Sequence, residues 1–138
     1  MDLTHLLETS VLARLNDPAV RNAITELKND EKGLARASIS DLEIGFSARN
    51  ASEWDELLVG VEAFELLEIN VGHLRRAKQV QRLLAAKHQR GRKIPDLLIA
   101  AAAEATNLSL LHYDADFDLI AAVTGQSCEW IVPKGSIN

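Results

Sequence analysis

The apolar and polar positions divide the chain into short apolar runs separated by stretches of helical period. "HLLET" (5–9) predicts a short buried strand, and Ser10 to about Asn16 one or two helical turns. Pro18 opens a helix to about Asn29, since its missing N–H costs nothing at a helix start. "GLARAS" (33–38) predicts a second strand. Ser38 or Ser40 caps a helix through about Ala48, and another helix runs from about Ser52 to Phe64. "FELLEIN" (64–70) predicts a third strand. From Val71 to about His88 the set Val71, Leu74, Ala77, Val80 and Leu84 keeps a helical period. "RGRKIP" breaks it, and Pro95 starts "DLLIAAAAEATN", an almost wholly apolar helix that belongs in the interior. "LSLLHY" (108–113) is a fourth strand, "DADFDLIAAVTG" a short helix ended by Gly125, and "CEWIVP" a fifth strand. Strands alternating with helices predict an α/β fold with a central, mainly parallel five-stranded sheet, covered on both faces.

Length and composition bound this picture. At 138 residues and 47% hydrophobic, residues 1–138 fit one domain with a sizeable core. No stretch approaches the ~18–20 apolar residues of a membrane span. No secretory signal is readable at the N-terminus. The single Cys128 excludes an internal disulfide and fits a reducing, cytoplasmic setting. One Cys and four scattered His offer no zinc-site spacing.

A net charge of −5 argues against a general nucleic-acid coat, but it hides an asymmetry. Between Glu68 and Asp96 there is no acidic residue. Eight of the fifteen basic side chains lie in that gap: Arg75, Arg76, Lys78, Arg82, Lys87, Arg90, Arg92 and Lys93. They form either a solvated helix face or a basic rim that meets phosphates.

In a parallel sheet the site lies beyond the carboxyl ends of the strands, at a topological switch point. That rule gives the acids meaning. Glu8 follows the first strand, and Glu43 lies early in the helix after the second. Asp96 opens the buried helix. Asp114 follows the fourth strand, with Asp116 and Asp118 beginning the next helix. Each has a structural explanation: Ser40-x-x-Glu43 is a capping-box pattern, and the aspartates suit helix starts. Several acids in one sheet mouth nevertheless repel one another unless cations neutralise them, and oxygen-only ligands suit Mg²⁺ or Mn²⁺.

Four blocks, "LLETSVLARL", "SISDLEIGFSARN", "KIPDLLIAAAAEA" and "LLHYDADFDLIAA", together with the tail "WIVPKG", resemble the PIN domain. More narrowly, they resemble VapC-type toxins of bacterial toxin–antitoxin pairs. The resemblance covers nearly the whole chain and implies a three-layer α/β/α PIN-like fold. It also implies a Mg²⁺- or Mn²⁺-dependent endoribonuclease inhibited by a small VapB-type antitoxin. A homodimer is expected, with a heterotetramer or larger assembly when the antitoxin is bound. Glu43 falls on the family's helix glutamate, Asp96 on the aspartate opening the buried helix, and Asp114 and Asp116 on the paired aspartates. Thr9 and Ser10 match a supporting hydroxyl pair. Asp118 matches a less central acid.

These correspondences assign Glu8, Asp96, Asp114 and Asp116 to metal binding. Glu43 either binds through water or orients the attacking water. Arg90, Arg92 and Lys93, just before Asp96, are placed to hold flanking RNA phosphates. The departure is Glu8, where the family has aspartate. Its added bond moves the carboxylate by ~1.5 Å, and reacting geometry can lose ~10²-fold from a misplacement of ~1 Å. A catalytically weakened PIN domain that acts only through partner binding is therefore the alternative. A DNA- or flap-directed nuclease is a further rival, though so short a chain lacks the usual clamp elements. Ile44, Phe46, Trp54, Leu57, Leu58 and Val61 offer an apolar surface for the antitoxin, which is expected to present an arginine to the acids.

Overall fold

The computed structural model describes residues 2–89 and 93–138. Five strands form one sheet: β1 (Leu3–Leu7), β2 (Gly33–Ala37), β3 (Glu65–Leu67), β4 (Ser109–His112) and β5 (Cys128–Trp130). Their spatial order is β3-β2-β1-β4-β5, and every neighbouring pair is parallel. The sheet is thus wholly rather than mainly parallel. The chain winds outward from β1 through β2 and β3, then returns to the other side of β1 for β4 and β5. The reversal between β1 and β4 is the switch point where such sheets place their sites.

Seven helices cover the sheet: α1 (Thr9–Leu12), α2 (Pro18–Asn29), α3 (Ser38–Gly45), α4 (Ala51–Val59), α5 (Val71–Ala86), α6 (Ile94–Ala105) and α7 (Asp116–Thr124). They give a three-layer α/β/α architecture with one apolar cluster on each face. Leu6, Ala35, Ala37 and Leu110 face α5, α6 and α7 through Leu84, Ile99, Ala103 and Phe117. Leu7, Leu34 and Leu111 face α1, α2 and the segment after α4 through Val11, Val20 and Val61. Alternate strand residues thus point to opposite layers. The small side chains Ala100 to Ala103 let α6 sit in the interior as expected, each at most 2% exposed. Gly125 (φ 76°) ends α7 in the left-handed region that its lack of Cβ makes accessible. No helix among the described residues is long and apolar enough to cross a membrane.

Several local expectations fail for identifiable reasons. Neither Ser38 nor Ser40 caps α3: its N-cap is Ala37, with no side-chain bond. Ser38 Oγ instead accepts the Ile69 N–H at 3.0 Å, tying α3 to the segment after β3. Val71 and Leu74 stand on the exposed side of α5 (62% and 52%), where Ala77, Val80 and Leu84 alone meet the core. Strand β1 begins at Leu3 rather than His5, because Leu3 already pairs with Gly33, the first residue of β2. The buried Arg36 in β2 escaped the reading of "GLARAS". It pairs with Asp41 (Nε to Oδ1 2.8 Å, Nη2 to Oδ2 3.2 Å) and also donates to the Phe64 carbonyl. This bidentate pair pins the start of α3 to the carboxyl end of β2.

Candidate metal centre

The carboxyl ends of β1 and β4 deliver the first acids. Glu8 follows β1 directly and its N–H donates to the Leu111 carbonyl of β4 at 2.9 Å, so the acid leaves the sheet at the switch point. It is 3% exposed. Its Oε2 accepts the Ser10 N–H at 2.7 Å and also the Ser10 hydroxyl, which makes it the N-cap of α1. Ser10 Oγ in turn accepts the Tyr113 N–H at 2.8 Å. One hydroxyl therefore joins the exits of both central strands.

Asp114 and Asp116 follow β4. The Asp116 N–H donates to Asp114 Oδ1 at 2.9 Å, and the Asp114 N–H donates to His112 Nδ1 at 3.2 Å. Asp96 arrives from the first turn of α6 and is 3% exposed. One carboxylate oxygen from each of Asp96, Asp114 and Asp116 lies within 4.8 Å of the other two. Asp96 Oδ2 is buried and has no hydrogen-bond partner among the described residues. Buried polar atoms are almost always satisfied. An orphaned carboxylate oxygen beside two more carboxylates therefore fits a divalent cation with oxygen ligands, of the Mg²⁺ or Mn²⁺ type.

The electrostatics record the same crowding. Burial, reinforced by Asp114, Glu43 and Asp116 and opposed by Lys93, pushes the Asp96 carboxyl up to about 7. Burial also pushes Glu8 up to about 7. The two Ser10 hydrogen bonds oppose that rise, and the charges of Asp96 and Asp114 add to it. Without a cation Glu8 and Asp96 are held partly protonated near neutrality.

The PIN domain family matches residues 6–123. The chain belongs to the PIN domain family. Within that family it is of the VapC type. It is 60% identical over 138 residues to Ribonuclease VapC51 of Mycobacterium tuberculosis, covering all of both chains. It is 42% identical over 141 residues to Ribonuclease VapC21 of the same organism, covering 99% of each. Among solved structures it is similar to VapBC2 of Rickettsia felis bound to a promoter DNA fragment. There the TM-score is 0.78 at 17% identity, covering 93% of this chain and 98% of the other. For VapBC-5 of Mycobacterium tuberculosis the TM-score is 0.63 at 24% identity, covering 96% and 100%.

Within this PIN fold the five predicted acids are distributed unequally. Asp96, Asp114 and Asp116 form the tight group. Glu8 and Glu43 stand outside that group but act on it electrostatically, Glu8 being raised by Asp96 and Asp114, and Asp96 by Glu43. Glu43 does not close a capping box. Its Oε1 accepts the Thr9 hydroxyl at 2.6 Å, and Thr9 Oγ1 lies 2.8 Å from Ser40 Oγ. Both hydroxyls of the Thr9-Ser10 pair thus hold an acid, Thr9 holding Glu43 and Ser10 holding Glu8. Asp118 turns away and accepts the Trp130 indole N–H at 3.1 Å. Lys93 precedes α6 and its charge favours ionised Asp96. Arg90 and Arg92 lie outside the described residues.

Two neighbours were not anticipated. Ser40 is fully buried and backs Thr9, although its place in "SISDLE" suggested only a cap. His112, fully buried at the end of β4, touches Asp114 through a ring nitrogen. Burial holds its ring below the usual imidazole range, so it stays neutral. The apolar surface also divides differently from the expectation. Leu58 and Val61 are core, whereas Phe46 (91% exposed) and Trp54 (43%) are surface, joined by Leu42 (71%) and Val59 (65%). A groove of about 480 Å³ between α1, α3 and α4 runs from Thr9 and Glu43 past Ile44 and Leu57.

Proposed function

We propose that this chain is a metal-dependent endoribonuclease toxin of a toxin–antitoxin pair, held inactive by a VapB-type antitoxin. The observation that carries the reading is the Asp96–Asp114–Asp116 group, with its orphaned buried oxygen, in a chain 60% identical to a VapC ribonuclease. Asp96, Asp114 and Asp116 hold Mg²⁺ or Mn²⁺, with Glu8 as a further ligand. The bound ion supplies the positive field that an anionic phosphodiester needs to enter an acidic mouth and lowers the pKa of a nucleophilic water.

The chain's own groups do the rest. Thr9 and Ser40 fix Glu43, whose carboxylate orients the attacking water and takes up its proton. Ser10 fixes Glu8 and the entry to Tyr113. Lys93, with Arg90 and Arg92 beside it in sequence, holds flanking phosphates, the lysine as a point charge and the arginines through their planar forks. The exposed Leu42 and Phe46 line a surface depression with Glu43 and Pro95 and support an antitoxin that covers the mouth, presenting an arginine to the acids. The neighbouring VapBC assemblies support a partnered toxin, and we propose a homodimer that forms a heterotetramer or larger complex with antitoxin.

A second reading is favoured by one observation: Glu8 spends Oε2 on capping α1. In that reading the site binds metal weakly and the chain acts through its partner alone. Incubation of the antitoxin-free chain with structured RNA and Mn²⁺ separates the two. The proposal predicts cleavage that EDTA and Asp114→Asn both abolish, with single-stranded and flap DNA left intact. Absence of cleavage at saturating Mn²⁺ supports the second reading, and equal cleavage of DNA refutes the ribonuclease assignment.

A further inference from the structure

We infer that His112 is a positioning residue for the metal centre: its Nδ1 holds the Asp114 N–H and so sets the turn that brings Asp114 and Asp116 against Asp96. The inference rests on the metal-binding reading of those three acids. His112 is the last residue of β4 and is wholly excluded from solvent. Its ring is fixed from two sides, with centroids 5.2 Å from Phe117 and 4.9 Å from Trp130. Its backbone carbonyl accepts the Ile131 N–H at 2.9 Å, so the residue is anchored in the sheet as well. From this fixed ring the turn is built bond by bond. The Asp114 N–H reaches Nδ1 at 3.2 Å, Asp114 Oδ1 accepts the Asp116 N–H at 2.9 Å, and the Asp114 carbonyl accepts the Phe117 N–H at 3.2 Å. Phe117 then packs back on the ring.

The tautomer makes the choice of side chain informative. An Nδ1 that accepts a hydrogen bond is unprotonated, so the ring proton sits on Nε2. Nε2 is buried with no partner among the described residues. A leucine or phenylalanine would fill this apolar site without leaving such an orphan, as Leu110 and Leu111 do on the same strand. What histidine adds over either is the acceptor at Nδ1. Groups that orient metal ligands in this way typically govern ~10–100-fold in metal affinity.

Two substitutions separate positioning from packing. His112→Asn keeps an acceptor near the Nδ1 position but empties part of the ring volume, whereas His112→Phe keeps the ring and removes the acceptor. Three readouts are needed on each protein: thermal stability without metal, Mn²⁺ affinity by calorimetry, and hydrogen exchange of the Asp114 amide in the metal-free chain. We expect His112→Phe to lose ~10-fold or more in Mn²⁺ affinity and in Asp114 amide protection while keeping the higher melting temperature. His112→Asn should melt lower yet keep Mn²⁺ affinity within about threefold, on the same ground. If metal affinity instead follows melting temperature, or if His112→Phe matches the parent in affinity and protection, the inference is overturned. A parent that binds Mn²⁺ but leaves RNA intact overturns the ribonuclease reading alone. A parent that binds no Mn²⁺ overturns the metal reading and, with it, the role assigned here to His112, whatever the exchange pattern.

Discussion

Replacing Asp96 by Asn should make the metal-free protein more stable while removing its function. In the unfolded chain the carboxyl titrates near 3.8; in the folded protein it is pushed up to about 7, by burial first and by Asp114 next. Between those values the folded state keeps a proton that the unfolded state has lost. Stability therefore falls as pH rises through this window and levels off above pH 7. At 1.36 kcal/mol per pH unit the full displacement amounts to roughly 4 kcal/mol. Asn matches the shape and never carries the charge, and its amide brings donors into a cluster of acceptors. We expect Asp96→Asn to gain about 3 kcal/mol at pH 8 and about 1 kcal/mol at pH 5. Urea denaturation in EDTA at the two pH values measures this directly. Addition of Mn²⁺ at about a thousandfold excess over Kd should reverse the order at pH 8, because only the parent is stabilised by binding, by ~4.1 kcal/mol. A variant less stable than the parent at pH 8, or one whose effect is the same at both pH values, would refute the claim that Asp96 is an uncompensated charge awaiting a cation.

Glu8→Asp should raise Mn²⁺ affinity and RNA cleavage together, by at least ~10-fold at low metal, if Glu8 is a ligand displaced by its extra methylene. Equal rates across a metal titration would mean that Glu8 is either already well placed as a ligand or not a ligand at all. Because Glu8 and Asp96 both titrate near 7, Mn²⁺ binding at pH 6.5 should release protons, and apparent affinity should rise with pH until it flattens above that value. Calorimetry in buffers of different ionisation enthalpy detects the release, and a pH-independent affinity would contradict it. Phe46→Asp should leave stability within about 0.5 kcal/mol, since the side chain is 91% exposed, yet weaken antitoxin binding at least ~10-fold. Unchanged affinity would move the antitoxin to another surface.

The sheet and its order of elements were legible because each strand is a short apolar run and each crossover a periodic stretch. The proximity of Asp96, Asp114 and Asp116 was legible because a parallel sheet brings the residues that follow β4 and those that open the helix before it to one edge. Partner identity was harder. Ser40-x-x-Glu43 satisfies the capping-box pattern, but Thr9 arrives from another element to take Glu43, and no local pattern contains that contact. Arg36 reads as an error in a strand until Asp41 and the Phe64 carbonyl are brought beside it. The helical period of α5 included Val71 and Leu74, yet in the first turn it is His73 that is buried while those two face solvent. His112 sits in an apolar run, where its sequence context gives no sign that a ring nitrogen meets Asp114. Thr9 and Glu43 meet from distant parts of the chain, whereas the Arg36–Asp41 and His112–Asp114 contacts are local and depend on where a side chain turns, which periodicity does not encode.

Diffraction from crystals soaked in Mn²⁺, collected where manganese scatters anomalously, tests the central claim most directly. The account predicts an anomalous peak bonded to oxygens of Asp96, Asp114 and Asp116, with Asp96 Oδ2 no longer without a partner. A cleft in which these carboxylates bond only to one another or to water at saturating Mn²⁺, or a peak elsewhere on the molecule, would contradict it.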